Sequence, residues 1–210
     1  MNDIRKLEPG ALWNFFYDLT QIPRPSKKEQ KVIDYIVKFG NDHKLETIVD
    51  KTGNVIIKKP ASRGMEKRKG VVLQTHLDMV PQKNNDKKHD FEKDPIETLI
   101  DGDWVKANGT TLGSDNGIGV AATLAILASE DIPHGPLEAL FTIDEETGMT
   151  GAFGLKKGLL DGDILINLDS EDINELCVGC AGGLDISAKK KYKEEKVPEG
   201  MTPYRITAKG

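Results

Sequence analysis

The stretch LGSDNGIG, residues 112–119, holds one carboxylate among three glycines, directly before an apolar run that is typical of a buried helix. Glycine has no Cβ, so it permits tight turns and close backbone approaches that other residues resist. The pattern therefore predicts that the chain folds around the side chain of Asp115. A carboxylate has two oxygens and can span two metal ions about 3.5–4 Å apart. We interpret Asp115 as such a bridge.

Three short apolar runs in the chain each end at acidic residues or at a histidine. The runs are residues 71–73, 137–143 and 164–168, and they lead to His76, to the acidic residues 144–146 and to Asp169. A continuous apolar run is typical of a strand that is buried on both faces of a sheet. In open α/β sheets, ligands bind beyond the carboxyl ends of the strands. The sequence therefore predicts an α/β fold with these polar residues gathered at one edge of its sheet.

Other segments predict the helices and hairpins around this sheet. Apolar residues at helical spacing predict one helix over residues 12–19 and another over 32–37. We interpret residues 26–29, SKKE, as a capping box for the second helix. Asp101-Gly102, between two short apolar segments, predicts a β-hairpin.

The overall composition excludes several classes of protein. The chain has 210 residues and a formal net charge of -5, so it offers no basic surface for a nucleic-acid backbone. Its longest apolar run, residues 120–128, is too short to span a bilayer, and its first residues lack the apolar core of a signal peptide. We expect a cytoplasmic protein that binds neither nucleic acid nor membrane.

Four of the residues at the predicted sheet edge and in the glycine-rich loop have side chains that divalent metals prefer. His76, Asp115, Glu146 and Asp169 offer one imidazole nitrogen and several carboxylate oxygens. Two metal ions polarise a scissile carbonyl and lower the pKa of a bound water to about 7. A base is still needed to take the proton from that water. Glu145 stands beside a predicted ligand and suits this role.

Asp78 follows His76 by two residues, and we expect both side chains on one side because side chains alternate along a strand. There Asp78 can accept the second ring N–H of His76 and fix the tautomer of the ring. A single His-x-Asp pair or an isolated acidic pair is usually an ordinary polar feature. The joint placement of these residues after buried strands favours a site, because burying unpaired charge is costly.

Four short motifs occur in the order that is used by the two-zinc aminoacylase and carboxypeptidase-type metallopeptidases. They are THLD at 75–78, GSDNG at 113–117, EE at 145–146 and LDSE at 168–171. The longer stretches at 80–86, 89–91 and 109–113 are similar to the bacterial aminoacyl-histidine dipeptidases in particular. The resemblance runs over almost the whole chain.

This resemblance implies a mixed β-sheet sandwiched by helices, as in zinc exopeptidases, and a mechanism with two zinc ions. It implies that His76, Asp115 and Asp169 hold one zinc and that Asp115 and Glu146 hold the other. Cobalt and manganese are the expected substitutes. Glu145 is again the implied base. The implied substrates are dipeptides, including Xaa-His dipeptides such as carnosine.

The pattern of the sequence changes after Gly183 to a lysine-rich alternation that includes a predicted strand over residues 204–207. We therefore expect the catalytic domain over residues 1–183 and the beginning of an α+β lid domain over 184–210. The similar enzymes are more than twice as long, and the last ligand of their second zinc is a histidine near their far C-terminus. No residue here matches that histidine, so we expect a piece of a longer enzyme, which dimerises through its lid.

Other interpretations stay open at this point. Residues 117–122, GIGVAA, fit the fingerprint of dinucleotide-binding proteins, although no apolar strand precedes them. The chain could also be a truncated, inactive metal-binding domain, or a tripeptide aminopeptidase or N-acyl amino acid deacylase with the same metal site. Cys177 and Cys180 are interpreted as two reduced thiols, because no second Cys-x-x-Cys completes a structural zinc site.

Overall fold

The computed structural model describes residues 3–170, 175–179, 182, 186–193 and 195–206. The chain forms two compact units, Met1–Glu171 and Asp172–Gly210. The described residues of the first unit form four α-helices, α1 (Gly10–Thr20), α2 (Gln30–Asp42), α3 (Ser114–Ala128) and α4 (Thr150–Gly154). Its strands are β1 (Glu46–Val49), β2 (Val55–Lys59), β3 (Val71–His76), β4 (Thr98–Asp101), β5 (Trp104–Ala107), β6 (Leu137–Thr142) and β7 (Ile164–Asn167). Among the described residues, no helix combines the length and the apolar character that crossing a bilayer requires.

Five strands form one mixed sheet in the order β1-β2-β6-β3-β7. Strand β3 runs parallel to both of its neighbours, β6 and β7, whereas β2 is antiparallel to β6 and to β1. Because β3, β6 and β7 point in one direction, their carboxyl ends meet at one edge of the sheet. The register places His76 opposite Thr142, and Gln74 opposite Asn167. The predicted α/β fold with a mixed sheet is confirmed.

The larger core lies between this sheet and the first three helices. Phe16 of α1, Ile36 of α2 and Leu124 of α3 are almost fully buried there against Phe141 of β6. The opposite face of the sheet carries a smaller cluster, in which Leu155, Leu159 and Leu160, which follow α4, pack on apolar residues of β2, β3 and β6. The helices and the α4 segment therefore hold the sheet from both sides, and burial of this apolar surface is the main stabilising term.

Strands β4 and β5 form a separate two-stranded hairpin, as the sequence predicts. Asp101 pairs with Trp104 in the last step of the ladder, and Gly102 in the turn has a φ of 60°. A positive φ of this kind is accessible to glycine without a steric penalty. The Asp-Gly signal was therefore sufficient to locate the turn.

The predicted capping box for α2 is wrong. Helix α2 begins at Gln30 with Glu29 at its N-cap, and no side chain caps it. The Ser26 hydroxyl instead donates a hydrogen bond to Asp78 Oδ2 at 2.8 Å. Ser26 is therefore part of the polar edge of the sheet, because its hydroxyl donates to a carboxylate, whereas an N-cap hydroxyl would accept from a backbone N–H of the helix.

The described residues of the second unit, 175–179, 182, 186–193 and 195–206, contain no helix or strand. The predicted strand over 204–207 is thus not seen in residues 204–206, and Thr207 lies outside the described residues. A strand needs a hydrogen-bonding neighbour, and the described part of this unit contains none.

Cys177 is an exposed free thiol, and Cys180 lies outside the described residues. The domain boundary near residue 183 stays a prediction.

Candidate metal centre

Strand β3 delivers His76 and, two residues later, Asp78 to the carboxyl edge of the sheet. Both side chains are fully buried, and His76 Nδ1 lies 3.2 Å from Asp78 Oδ1. The two side chains therefore meet as expected from strand alternation. Because an ionised carboxylate can only accept, Nδ1 carries the proton of this hydrogen bond. Nε2, on the far side of the ring, is then the nitrogen that can bind a metal ion once it has lost its proton.

Two carboxylates converge on that second ring nitrogen. Asp115 Oδ1 lies 2.8 Å from His76 Nε2, and Asp169 Oδ1 lies 3.6 Å from it. Asp115 sits in the first turn of α3 with non-helical dihedral angles, and the peptide bond that follows it is cis. Gly113, which precedes the helix, has a φ of 72°. The left-handed backbone of Gly113 turns the chain before α3, and Asp115 faces the end of β3.

Asp78 also holds the acidic segment that follows β6. Its Oδ1 accepts a hydrogen bond from the backbone N–H of Glu145 at 3.0 Å, and its Oδ2 accepts one from that of Glu146 at 3.2 Å. With His76 and Ser26, four donors surround this one buried carboxylate. Burial alone would raise the pKa of Asp78, but the hydrogen bonds from His76, Glu145 and Ser26 lower it to about 2.

All six residues that the sequence assigned to the site are brought together. Two sets of donor atoms each lie within 4.8 Å of one another, one from His76, Glu145 and Asp169 and one from His76, Asp115 and Glu146. The first set differs from the ligand division that the resemblance implies, since it places Glu145 beside Asp169. One imidazole nitrogen among carboxylate oxygens is a donor set that suits a divalent metal.

The electrostatics of the cluster favour a bound cation. Burial by itself lowers the pKa of His76, but the interactions with the Asp169 and Asp78 carboxylates outweigh burial and raise the pKa to about 10. Burial also raises the pKa of Glu145 and of Glu146, and nearby carboxylates add to the effect. Negative charge is thus in excess around His76 Nε2. A bound metal ion would compensate this charge, so the residues fit such an ion.

A third acidic group, formed by Glu29, Asp78 and Asp144, lies beside the site and is buried. Most of its oxygens are used by donors of the protein itself: Glu29 Oε1 accepts from two backbone N–H groups, and the two oxygens of Asp144 accept from the hydroxyls of Thr147 and Thr150. This group therefore needs no metal and supports the loop that carries Glu145.

Two residues of the site were not assigned by sequence. Asn116 is buried next to Asp115 and donates to Asp169 Oδ1 at 3.0 Å. Arg24 is 2% exposed and donates to backbone carbonyls on either side of the site. Burial lowers the pKa of Arg24 to about 10, and Asp78 and Asp115 oppose that shift, so Arg24 is charged at neutral pH. The signal for Asn116 was its place inside the glycine-rich motif, whereas no local pattern marks Arg24.

Residues 72–203 match the family described as Peptidase family M20/M25/M40. The chain belongs to this family. It is 52% identical over all 210 residues to the cytosol non-specific dipeptidase of Escherichia coli K12, and it spans 43% of the length of that protein. Membership in this metallopeptidase family implies use of a divalent metal, in agreement with the donor set around His76.

Solved structures of peptidases resemble the chain. The aminoacylhistidine dipeptidase from Vibrio alginolyticus matches with a TM-score of 0.80 and 59% identity, over 81% of this chain and 35% of that one. Aminopeptidase PepT from Bacillus cereus matches with a TM-score of 0.65 and 26% identity, over 77% of this chain and 43% of that one. The chain therefore spans less than half the length of each of these relatives. The resemblance to the aminoacyl-histidine dipeptidases is confirmed.

Proposed function

We propose that this chain carries most of the metal centre of a metal-dependent dipeptidase that hydrolyses Xaa-His and other dipeptides. The observation that carries the proposal is the convergence of Asp115 and Asp169 on His76 Nε2. The names of the Escherichia coli and Vibrio relatives support a dipeptide substrate, and the former supports a cytosolic location. The family relation supports a hydrolase over an oxidoreductase that binds NAD.

The residues divide into ligands and supporting groups. We assign His76, Asp115 and Asp169 to one zinc ion and Asp115 and Glu146 to a second. When bound, the metal ions supply Lewis-acid polarisation of the scissile carbonyl and acidify the attacking water. Cobalt and manganese accept the same oxygen and nitrogen donors and are proposed as substitutes for zinc.

Glu145 is proposed as the general base. Its backbone N–H is fixed by Asp78, and burial raises the pKa of its side chain from the ordinary value for glutamate. A carboxylate with a raised pKa takes a proton from water more readily and can then give it to the leaving amine.

A cavity of about 230 Å³ opens beside Glu145 and Asp169 and is lined largely by apolar side chains, which provides room for a side chain of the substrate.

A second candidate is an aminopeptidase for longer peptides. The match to aminopeptidase PepT favours it, although at a lower identity than the match to the dipeptidase. A third is a metal-binding domain without turnover. Homodimerisation is proposed only by analogy with the family.

Metal analysis and a substrate panel test these candidates. The 210-residue chain and the full-length protein encoded by its gene are each loaded with zinc and desalted. Their metal content is then measured by elemental analysis. Each is then incubated with Xaa-His dipeptides, other dipeptides, a tripeptide and an N-acyl amino acid. We expect one to two zinc ions per chain and the fastest turnover on dipeptides by the longest product. Bound zinc without turnover in any form would favour the domain without activity, and absence of zinc would refute the proposed centre.

A further inference from the structure

Arg24 occupies an unusual place directly behind the metal centre. It lies between Pro23 and Pro25 in the loop that joins α1 to α2, and its side chain is 2% exposed. Nη1 donates hydrogen bonds to the carbonyl oxygens of Leu77 and Asp78, each at 3.0 Å. Nη2 donates to the carbonyl oxygen of Gly113 at 2.5 Å. One guanidinium therefore joins the backbone that follows His76 to the backbone that leads into Asp115.

The glycine-rich loop is shaped around this guanidinium. A Cβ added at Gly113 would lie 2.7 Å from Arg24 Nη2, and one added at Gly117 would lie 2.5 Å from it. Real Cβ atoms do not approach other atoms that closely, so a side chain at either position would displace the guanidinium or the loop. The glycines on both sides of Asp115 thus leave the space that Arg24 fills.

The interactions of Arg24 are not those of a simple ion pair. Within the described part of the chain, no carboxylate oxygen lies within 4 Å of its nitrogens, and its Nε has no hydrogen-bond partner. Burying a guanidinium without a paired carboxylate is costly compared with burying an apolar side chain of similar volume. The planar guanidinium can, however, donate hydrogen bonds in several fixed directions at once. Neither an apolar side chain nor a single ammonium group can do this.

We propose that Arg24 is a positioning residue of the metal centre, which sets the separation of His76 and Asp115 by binding the backbone next to each of them. The proposal rests on the proposed function, because it concerns the ligands assigned there. A lysine at this position keeps the positive charge but has no planar fork with which to reach the carbonyls on both sides at once. Loss of the fork should therefore loosen the ligand geometry while the charge remains.

Zinc affinity of the 210-residue chain tests this role. We compare the unchanged chain with Arg24→Lys by competition against a chelating zinc indicator, at a temperature where circular dichroism shows both to be folded. We expect Arg24→Lys to bind zinc about 10- to 100-fold more weakly, the usual range when a residue that orients a ligand is lost. Gly117→Ala leaves Arg24 in the chain but displaces its guanidinium, so we expect a loss in the same direction.

Lys59 offers a matched control at the other end of α3. Its Nζ also donates to two backbone carbonyls, those of Ile126 and Ser129, and within the described part of the chain it makes no hydrogen bond to the metal centre. Lys59→Met should lower the melting temperature and leave zinc affinity unchanged. A purely structural role for Arg24 predicts that Arg24→Lys behaves in the same way.

The outcomes separate the two proposals. Wild-type zinc affinity in folded Arg24→Lys and Gly117→Ala would overturn the positioning role and leave the proposed function intact. Absence of zinc binding by the unchanged chain would overturn both. If Arg24→Lys does not fold, Gly117→Ala decides alone: weaker zinc binding supports the role, and unchanged binding refutes it. If neither variant folds at any temperature tested, Arg24 is required for the fold itself and the specific positioning role is refuted.

Discussion

The side-chain amide of Asn116 donates hydrogen bonds to the Leu168 carbonyl oxygen at 2.9 Å and to Asp169 Oδ1 at 3.0 Å. Asn116 directly follows Asp115, so one buried amide couples the loop before α3 to the end of β7. The two carboxylates that face His76 Nε2 are therefore held by a common residue.

Replacing Asn116 should disturb the zinc ion that Asp169 helps to bind. In Asn116→Ala the Asp169 carboxylate loses its amide donor, and we expect zinc affinity to fall about 10- to 100-fold. Calorimetric zinc titration measures the change. Asn108→Ala is the matched control, because the Asn108 amide donates to Glu97 at an exposed position and should have no effect on zinc binding. Equal zinc affinities in both variants would show that Asn116 does not position Asp169.

Glu145→Gln should separate catalysis from metal binding. The amide cannot take a proton from water, so we expect kcat of the active enzyme to fall by about 10²- to 10⁴-fold. Metal content, measured by elemental analysis, should stay at the wild-type value. Glu146→Gln is the matched comparison and should lose metal, because Glu146 is assigned as a ligand. Loss of zinc from Glu145→Gln would mean that Glu145 itself is a ligand. Its carboxylate lies close enough to the donor atoms of His76 and Asp169 to share a metal ion with them.

Asp115→Asn should weaken both zinc ions together. The neutral amide removes negative charge from the ligand that we assign to both ions, whereas Asp169→Asn removes it from one. Zinc stoichiometry at increasing chelator concentration distinguishes the two variants: the first should lose both ions in a single step and the second should retain one longer. Loss of a single ion from Asp115→Asn would contradict a bridging role.

Much of this centre could be predicted because its residues obey local rules. The apolar runs that end at His76 and Asp169 indicated strands, and parallel strands place such ends at one edge. The expected burial on both faces is wrong for β7, whose residues Ile164–Asn167 are exposed in the described part of the chain. Strand alternation was enough to pair His76 with Asp78. The glycines around Asp115 indicated a sharp turn for a steric reason that holds in any fold.

The supporting residues could not be predicted, because their partners are distant in sequence. Arg24 binds carbonyl oxygens of Leu77, Asp78 and Gly113, and every residue has a carbonyl oxygen, so no side-chain pattern reveals the contact. Asn116 lay within the quoted motif, but its acceptors in residues 168–169 depend on the sheet bringing β7 beside β3.

Experiment can distinguish two roles for Ser26, a cap of helix α2 and a hydrogen-bond donor to Asp78. As a helix cap, Ser26→Ala would cost about 0.5–2 kcal/mol of stability and would leave the metal centre unaffected. As the donor to Asp78 that the structure contains, it helps to fix the carboxylate that orients His76, Glu145 and Glu146. We therefore expect Ser26→Ala to lower zinc affinity, and Ser26→Thr, which keeps the hydroxyl, to restore most of it. Zinc titration of the three proteins, alongside urea denaturation in the absence of metal, decides: a stability loss with unchanged affinity in Ser26→Ala would return Ser26 to a purely structural role.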